Sequence, residues 1–389
     1  MAKQRNSPLS GVRIVDLTAL VMGPLATQTL ADLGADVIKV ESPDGDALRR
    51  VGPSHSGMMG PLFLHLNRNK RSIVLNLKLE ADHAKLVSLV KDADVLVHSV
   101  RPQAMARLGL SYDELHHVNP GLIYAGLSGF GPRGSYGEDG AFDDMIQTVT
   151  GLAEMMGRTS DGRPRYVPAN LVDRSVGLYA FGIIAAALYG REKNGGLGQE
   201  IGIAMYETFA SLLLGDHLYG ATFVPPLGPP GYPRLLVKDR SPYPTSDGYI
   251  CCMIYTDRQW QDFLRVSGAP EMDLDPRLAG LNARSRNAQT VFDTISGITC
   301  RHSSEYWVST LRSAGLTAVP MRSIDDLVSD PHLSDVGQFA EVRQSSEGQL
   351  RLLRLPGEWE GWKPVIGRPP PELGEHTQEI LGATEPFAS

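Results

Sequence analysis

The sequence predicts an α/β protein with one large open-sheet domain and a smaller α+β domain. Short apolar strands alternate with helical segments over residues 12–131. A proline-rich segment then interrupts the chain, and a second, shorter set of strands and helices follows it. Strands that alternate with helices indicate a parallel sheet covered by helices, as in Rossmann-like domains. A chain of 389 residues is long enough for two such units.

The large domain is predicted from a repeated strand–helix pattern. Gly34 is placed to end the first helix, because glycine favours the backbone conformation that follows a helix C-terminus. Two longer helices and a strand that runs into a helix complete this part. The predicted strands are 12–17, 35–42, 71–77, 94–100 and 121–131, the predicted helices are 23–34, 80–93, 102–108, 111–118, 143–157 and 173–190, and the last strand and helix share 199–220.

The smaller domain is expected after the proline-rich stretch 223–236, which holds five prolines and is typical of a semi-rigid linker. We therefore predict a large domain from residue 1 to 222, a linker at 223–245 and a small α+β domain at 246–330. The C-terminal remainder is expected to contain turns and one last helix. The predicted strands of the small domain are 248–255 and 316–323, and its helices are 257–269, 287–298 and 303–315.

Composition limits the classes of function. The net charge is −7 and the pI is about 5.8, which argues against a nucleic-acid partner. Three cysteines with no metal-binding spacing, and an N-terminus without an apolar signal core, favour a cytoplasmic protein. The longest apolar run, Val176 to Gly190, is 15 residues long, whereas a membrane span needs about 20. We expect it to be a core helix and expect no membrane association.

Several common motifs of α/β enzymes are absent. The first strand–helix turn reads "LTALVMGPLAT" and lacks the G-x-G-x-x-G of dinucleotide sites. The sequence contains neither a P-loop nor an H-E-x-x-H zinc motif. "GLSGF" begins like a nucleophile elbow, but Phe130 replaces its second glycine.

One acidic residue, Asp173, stands just before the long apolar run. From the residues alone it reads as a helix N-cap, because aspartate is favoured there. Its context is more specific. Six segments in this order resemble the family III CoA-transferases, a group that includes formyl-CoA transferase, carnitine CoA-transferase and the α-methylacyl-CoA racemases. They are "LSGVRIVDLT", "GPLATQTLADLGADVIKVESPDGDALRR", "NRNKRSIVLNLK", "DVLVHSVRPQAMARLGLSYDELHHVNPGLIYAGLSGFGPRG", "GREKNGGLGQEI" and "RPPPELGEHTQEIL".

The resemblance implies that Asp173 is the nucleophile of a CoA-transferase. A carboxylate that attacks an acyl-CoA thioester gives a mixed anhydride, and the returning CoA thiolate gives an aspartyl-CoA thioester. We expect the helix N-terminus to keep this carboxylate ionised and to offer N–H donors to an oxyanion. CoA enters as part of the substrate, and the resemblance implies no separate cofactor and no metal.

The resemblance also implies positions that contact CoA or substrate. Arg107 matches a phosphate-binding arginine, and an aromatic–acid pair, Phe142 and Asp143, matches residues near the nucleophile. The alternatives are a solvated surface charge for each basic residue, core packing for each apolar one and a helix cap for Asp143. The implied set is Val21, Met22, Leu75, Lys78, Ser99, Val100, Arg101, Arg107, Phe142 and Asp143.

Three departures narrow the activity. The racemase branch carries a histidine where Phe142 stands, and phenylalanine cannot transfer a proton, so a transferase is favoured over an acyl-CoA racemase. The intact context of Asp173 disfavours the other alternative, a non-catalytic acyl-CoA binder. Ser42 replaces a basic residue that packs near the adenine in several members, with Lys39 and Arg49 as nearby alternatives. The glycine-rich loop of formyl-CoA transferase is missing, which disfavours oxalate and formate.

The resemblance implies a homodimer of two chains linked like rings, with residues 331–389 returning to complete the large domain. The substrates are an acyl-CoA and a carboxylic acid. Arg163, Arg165 and Tyr166 precede the nucleophile in sequence and could hold a distal carboxylate. Short dicarboxylates such as succinate, mesaconate or itaconate are therefore the favoured partners.

Overall fold

The computed structural model describes residues 7–382. Within that range the chain forms strands and helices that alternate through its first half. The strands are β1 Arg13–Leu17, β2 Asp36–Glu41, β3 Lys70–Val74, β4 Val95–His98, β5 Ile123–Ser128, β6 Gln199–Ala204, β7 Tyr243–Pro244, β8 Tyr249–Met253, β9 Thr317–Pro320, β10 Phe339–Gln344 and β11 Gly348–Leu353. The helices are α1 Met22–Asp32, α2 Pro61–Leu66, α3 Glu80–Lys91, α4 Pro102–Arg107, α5 Tyr112–Val118, α6 Asp143–Val149, α7 Leu152–Arg158, α8 Leu171–Lys193, α9 Met205–His217, α10 Asp257–Val266, α11 Leu281–Arg286, α12 Ala288–Thr299, α13 Ser304–Ser313, α14 Ile324–Val328, α15 Pro331–Asp335 and α16 Thr377–Leu381. Short 3-10 helices cover Ala47–Arg50, Tyr219–Thr222 and Pro270–Leu274.

The large sheet has six parallel strands in the order β3-β2-β1-β4-β5-β6. This order confirms the predicted open α/β sheet. All six strands end at the same edge, and the order reverses between β1 and β4. Ligands of open α/β sheets bind in the crevice at such a reversal, beside the carboxyl ends of the strands. The loops after β1 and β4 are therefore the first places to look for a site.

Helices cover both faces of this sheet. Side chains of a strand alternate between its faces, so Val15 points to one face and Asp16 to the other. Val15 belongs to an apolar cluster that α3 and α5 complete with Leu86 and Leu115. Asp16 accepts a hydrogen bond from Thr27 of α1, which places α1 on the opposite face. Helix α8 packs on α1 and β5.

The face under α1 contains a buried network of charges. Lys70 of β3 donates to Asp16 at 3.0 Å, and Lys39 of β2 donates to Asp46 at 3.1 Å. All four side chains are at most 1% exposed. Burial alone would raise the pKa of Asp16, but Lys70 and Lys39 lower it to about 2. Buried charges persist only when paired and hydrogen-bonded, so this network holds β1, β2, β3 and the loop before α1 in one arrangement.

Contacts divide the chain into two compact units. The larger contains residues 1–149, 168–210 and 331–389, and the smaller contains 150–167 and 211–330. The predicted large domain, 1–222, differs from the observed one in two places: residues 150–167 and 211–222 group with the smaller unit. The other predicted segments were a linker at 223–245, a small domain at 246–330 and a return segment at 331–389. In both divisions the C-terminal segment groups with the large sheet.

The smaller unit has a three-stranded antiparallel sheet in the order β7-β8-β9. One face packs on helices α10, α12 and α13 through an apolar core that includes Trp260, Phe263 and Trp307. Thr256 and Gln259 form a reciprocal capping box that starts α10. This is the predicted α+β unit.

Three local features differ from the sequence expectations. The helix expected at 143–157 is split into α6 and α7, because Gly151 adopts a φ of 82° between them. The C-terminal remainder, expected to contain turns and one last helix, also forms a hairpin, β10–β11. Helix α8 begins at Leu171, two residues earlier than expected, and spans 23 residues. Among the described helices α8 is long and apolar enough to cross a membrane, a test that core helices of soluble proteins also pass.

Candidate active site

Asp173 lies in the first turn of α8, as its third residue. The N-cap is Asn170, so Asp173 is not the residue that caps the helix. Its side chain is partly exposed, and its carboxylate accepts no hydrogen bond from residues 7–382. An ionised group without partners at the start of a helix is available to a ligand. The simple capping role therefore does not explain Asp173.

The α8 helix approaches α1 closely one turn after Asp173. A Cβ at Gly177 would lie 2.6 Å from the carbonyl oxygen of Met22 and 3.2 Å from Leu25. Only glycine permits this approach without a shift of the backbone. The contact brings the first turn of α8 towards the loop between β1 and α1, where Val21 and Met22 lie.

The Asp143 carboxylate joins α6 to the start of α8. Its Oδ2 accepts a hydrogen bond from the backbone N–H of Asp173 at 3.0 Å, and its Oδ1 accepts one from Gln147 at 2.6 Å. Asp143 is 8% exposed. The first N–H groups of a helix lack intrahelical partners, so this carboxylate satisfies one of them from a different helix. The structure thus brings Asp143 and Asp173 together.

The pKa of Asp173 is raised from 3.8 to about 6. Burial is the largest cause and the charge of Asp143 is the second, while Arg174 acts in the opposite direction. We expected the helix N-terminus to keep the carboxylate ionised at neutral pH; burial and Asp143 nevertheless shift its pKa upwards. A carboxylate with a pKa near 6 is still about 90% ionised at pH 7. The N–H of residue 173 is also already bound to Asp143, so it is not a free oxyanion donor.

Val21 is the N-cap of α1 and Met22 is its first residue, after a short loop that follows β1, and both are buried. The residue before them, Leu20, has a φ of 67°, which is uncommon for a side chain of this size. Its N–H donates to the Asp46 carboxylate, which Lys39 also contacts. The buried charge network therefore fixes the loop that carries Val21 and Met22. Sequence analysis did not single out Asp46.

Ser99, Val100 and Arg101 directly follow β4, across the order reversal from Val21. Ser99 and Arg101 are exposed, and a Cβ at Gly140 would lie 3.1 Å from the Arg101 guanidinium. Gly140 is two residues before Phe142. The loop after β4 therefore meets the segment that leads into α6 and Asp143.

Two further cations follow β3 and β4 along the chain. Lys78 follows β3, and Arg107 ends α4. Both are exposed, and like Arg101 they form no ion pair with any group of residues 7–382. Such cations are available to an anionic ligand. The structure gives them no partner of their own.

Other predicted residues have different environments. Leu75 is 2% exposed and packs in the apolar cluster under α3, so its side chain belongs to the core. Phe142 is 64% exposed. Lys39 and Arg49, suggested as substitutes for the basic residue missing at Ser42, are 0% and 1% exposed. Their charges are bound to Asp46 and Glu41, so neither can contact a nucleotide.

Two histidines in the large unit were not predicted as site residues, although His98 directly precedes the predicted Ser99. His65 of α2 has a lowered pKa, mainly through burial and further through Arg68 and Arg174. Arg174 directly follows Asp173, so His65 is within electrostatic range of the first turn of α8. His98, the last residue of β4, is 2% exposed, and burial lowers its pKa to about 4 despite a contact from Nδ1 to the Val100 carbonyl. It packs on Tyr124, with ring centroids 4.8 Å apart.

Arg163, Arg165 and Tyr166 belong to the smaller unit. Arg165 forms an ion pair with Asp161 at 2.7 Å, and the side chains of both residues are more than half exposed. Such surface pairs contribute little free energy and can exchange for another carboxylate. A search of residues 7–382 finds no group of three or more His, Cys, Asp or Glu side chains placed to hold a metal ion.

Comparison with known proteins identifies the family. Residues 9–377 match the family described as CoA-transferase family III. The chain is 31% identical to the "Probable fatty acyl-CoA transferase Rv3272" of Mycobacterium tuberculosis, over 96% of this chain and 97% of that protein. It is also 31% identical to the succinate–glutarate CoA-transferase of Agrobacterium fabrum, over 98% and 96%. A crystal structure of an aspartate-to-alanine mutant of Rv3272 superposes with a TM-score of 0.84 at 31% identity, covering 96% of this chain and 98% of that one. The resemblance inferred from the sequence is confirmed: the chain belongs to the CoA-transferase family III and is a CoA-transferase.

Proposed function

We propose that this enzyme moves CoA from an acyl-CoA thioester to a carboxylic acid and that Asp173 is its nucleophile. The observation that carries the proposal is the Asp173 carboxylate. It is part-buried, accepts no hydrogen bond from the described residues and has a pKa raised to about 6. Burial and a neighbouring acid weaken the stabilisation of the charge and make the carboxylate more basic. A more basic carboxylate is a better nucleophile, while most of it stays ionised at neutral pH.

The proposed reaction conserves the thioester through two exchanges. Asp173 attacks the donor thioester carbonyl, the C–S bond breaks, and a mixed anhydride and CoA thiolate form. The thiolate attacks the aspartyl carbonyl, which releases the donor acid and leaves an aspartyl-CoA thioester. The acceptor carboxylate attacks this thioester, its C–S bond breaks, and a second anhydride and CoA thiolate form. The thiolate then attacks the acceptor acyl group, which gives the new acyl-CoA and restores Asp173.

Exposed cations at the carboxyl edge of the sheet support CoA binding there. CoA carries several phosphate charges. Lys78 follows β3, Arg101 follows β4 and Arg107 ends α4, and none of the three forms an ion pair with the described residues. Guanidinium groups suit phosphate because their donors form a planar fork. We propose that these three groups hold the phosphates and that Val21, Met22, Ser99 and Val100 line the pantetheine arm. Because Leu75 is core, we assign it only a supporting role.

We propose a homodimer in the cytoplasm. Apolar side chains are more than half exposed on α8 at Leu178 and Tyr189 and on α9 at Leu212. Exposed apolar rows on long helices indicate a surface that another chain covers. Three free cysteines, two of them exposed, suit a reducing compartment.

We propose short dicarboxylates as a substrate class. The relative from Agrobacterium fabrum is named for succinate and glutarate, whereas the one from Mycobacterium tuberculosis is named for fatty acyl-CoA. Arg165 has a partner that a substrate carboxylate could replace. The role assigned to it fails if Arg165→Ala keeps full activity on succinate and glutarate.

A CoA-exchange assay tests the activity. Purified enzyme is mixed with succinyl-CoA, acetyl-CoA or octanoyl-CoA and with succinate, glutarate, mesaconate, itaconate, oxalate or octanoate, and new thioesters are separated by chromatography. We expect transfer between dicarboxylates. Parallel reactions with 2-methylacyl-CoA in heavy water measure exchange at C2. Hydrogen exchange at C2 without CoA transfer would indicate a racemase instead of a transferase and would make His65 a candidate base. Tight acyl-CoA binding with neither reaction would indicate a non-catalytic acyl-CoA binder.

A further inference from the structure

The smaller unit contains a cleft whose lining includes none of the residues assigned to CoA transfer. Its volume is about 460 Å³, within the range of sites that hold small organic molecules. The walls come from residues 232–243, which precede and enter β7, from 251–255 in and after β8, and from 281–292 in α11 and α12. All of these residues belong to the smaller unit.

The cleft has apolar and aromatic walls. Tyr243 and Phe292 pack with ring centroids 5.4 Å apart, and Val237, Ile254 and Val291 add aliphatic surface. Aromatic and aliphatic walls with a few polar groups are typical of sites for small molecules rather than for ions. The shape and the walls therefore suit an occupant with an apolar body.

The charges in the cleft are unbalanced. Its lining includes three arginines and no aspartate or glutamate, on a chain whose net charge is −7. Arg284 is 5% exposed and is paired with Asp257 at 2.6 Å, so its charge is already balanced. Arg234 and Arg240 form no ion pair within residues 7–382. Two positive charges therefore remain for an occupant.

The two guanidinium groups without an ion pair to the described residues lie near the aromatic wall, and that of Arg234 also donates to Met253 Sδ at 3.6 Å. Arg234 lies over the Tyr255 ring, 5.1 Å from its centroid. Burial raises the pKa of Tyr243 to about 12, and Arg234 and Arg240 both act against that rise. The two groups are therefore within electrostatic range of the Tyr243 hydroxyl. Cations and apolar surface converge on the same space.

We propose that this cleft is a second binding site, for a small organic anion with an aromatic or aliphatic body, such as an aryl carboxylate. The carboxylate pairs with Arg234 and Arg240, and the body packs against Tyr243 and Phe292. A bidentate arginine–carboxylate contact gives both charge balance and orientation. The site goes beyond the CoA-transfer proposal and does not depend on Asp173.

The three cysteines provide a built-in test. Cys251 is exposed and lines the cleft, whereas Cys300 is exposed and is not part of its lining. Cys252 is buried, and burial raises the pKa of its thiol to about 12, so it should not react. The full-length protein is treated with iodoacetamide, and alkylation at each cysteine is followed by peptide mass spectrometry. The probes are 2-naphthoate and 2-naphthylmethylammonium, which have similar bodies and opposite charges.

We expect 2-naphthoate to slow alkylation of Cys251 at least threefold and to leave Cys300 unchanged. The ammonium compound should not protect Cys251. Arg234→Gln and Arg240→Gln should each raise the 2-naphthoate concentration needed for half-maximal protection about tenfold. Arg258 is an exposed arginine outside the lining, so Arg258→Gln should leave that concentration unchanged. Thermal melting confirms that each variant is folded. Equal protection by both probes, protection that survives both arginine variants, or a Cys251 that is unreactive without any probe would each overturn the proposal.

Discussion

Replacement of Asp143 by asparagine isolates the electrostatic part of the site. Asp143 is the second-largest cause of the raised pKa of Asp173, after burial, and the total rise is from 3.8 to about 6. Because burial contributes more, loss of the Asp143 charge should lower the Asp173 pKa by roughly half a unit to one unit. The folded chain keeps a side chain of the same size at position 143.

The assay is the pH dependence of kcat/KM with saturating acceptor, between pH 4.5 and 8. This ratio reports ionisations of the free enzyme. If the Asp173 pKa falls from about 6 to between 5 and 5.5, the ionised fraction at pH 5 rises roughly three- to fivefold relative to its plateau. Activity should therefore survive to lower pH in Asp143→Asn than in the unchanged enzyme.

The height of the plateau is a separate readout. An asparagine has one acceptor oxygen, whereas Asp143 accepts from both Asp173 and Gln147. One of those N–H groups loses its partner, so the maximal rate should fall. Asp144→Asn is the matched control, because Asp144 is an exposed acid on the same turn of α6. A profile that stays in place, or that moves to higher pH, would refute the proposed coupling between the two carboxylates.

Three further predictions follow from other contacts. The pKa of Asp16 is lowered to about 2, so its ionisation adds roughly 2.5 kcal/mol to the free energy of unfolding above pH 4, and this contribution is lost as the pH falls from about 4 to 2. In urea unfolding, Asp16→Asn should be less stable by about 3–5 kcal/mol. Asp44→Asn changes an exposed loop acid and should leave the stability nearly unchanged. Gly177→Ala places a Cβ 2.6 Å from the Met22 carbonyl oxygen and should lower the stability measured by thermal unfolding by about 1–3 kcal/mol. Gly182 lies on the same helix with open space around it, so Gly182→Ala should be neutral or stabilising. Equal effects of the two changes would contradict the close approach of α8 to α1. Arg101→Gln should raise the KM for acyl-CoA about tenfold with little change in kcat. Lys91→Gln, at the C-terminal end of α3, should leave the KM unchanged. If the KM of Arg101→Gln is also unchanged, Arg101 does not bind the CoA phosphates.

The strand–helix alternation made the large sheet predictable, because each buried strand is a short apolar run and each loop is marked by glycine or a polar residue. The hairpin β10–β11 was missed for the opposite reason. Its first strand, Phe339–Gln344, places the exposed charged residues Glu341 and Arg343 between less exposed ones, so no apolar run marks it. The split between α6 and α7 depends on the backbone conformation of Gly151, which the pattern around it does not reveal.

The site was predictable only in part. Asp173 is recognisable from its context, but the bond between its N–H and Asp143 joins residues 30 apart and depends on how α6 packs. Asp46 and His65 lie near the site through folding alone, and no spacing in the sequence connects them to it. Burial also explains why Lys39 and Arg49 were wrongly suggested as contacts to the adenine. From the sequence they are ordinary cations, but in the fold both are buried and belong to ion pairs with acidic side chains.

Intact-protein mass spectrometry measures directly whether Asp173 forms the covalent intermediate. Three proteins are compared: the unchanged enzyme, Asp173→Ala and Asp144→Ala. Each is mixed with succinyl-CoA, acetyl-CoA or octanoyl-CoA and quenched in acid, and its intact mass is measured. We predict an added mass of one CoA, less water, on the unchanged enzyme and on Asp144→Ala, and none on Asp173→Ala. Peptide mapping should place that mass on Asp173. An adduct that persists in Asp173→Ala, or transfer activity that survives this change, would contradict the assignment of Asp173 as the nucleophile.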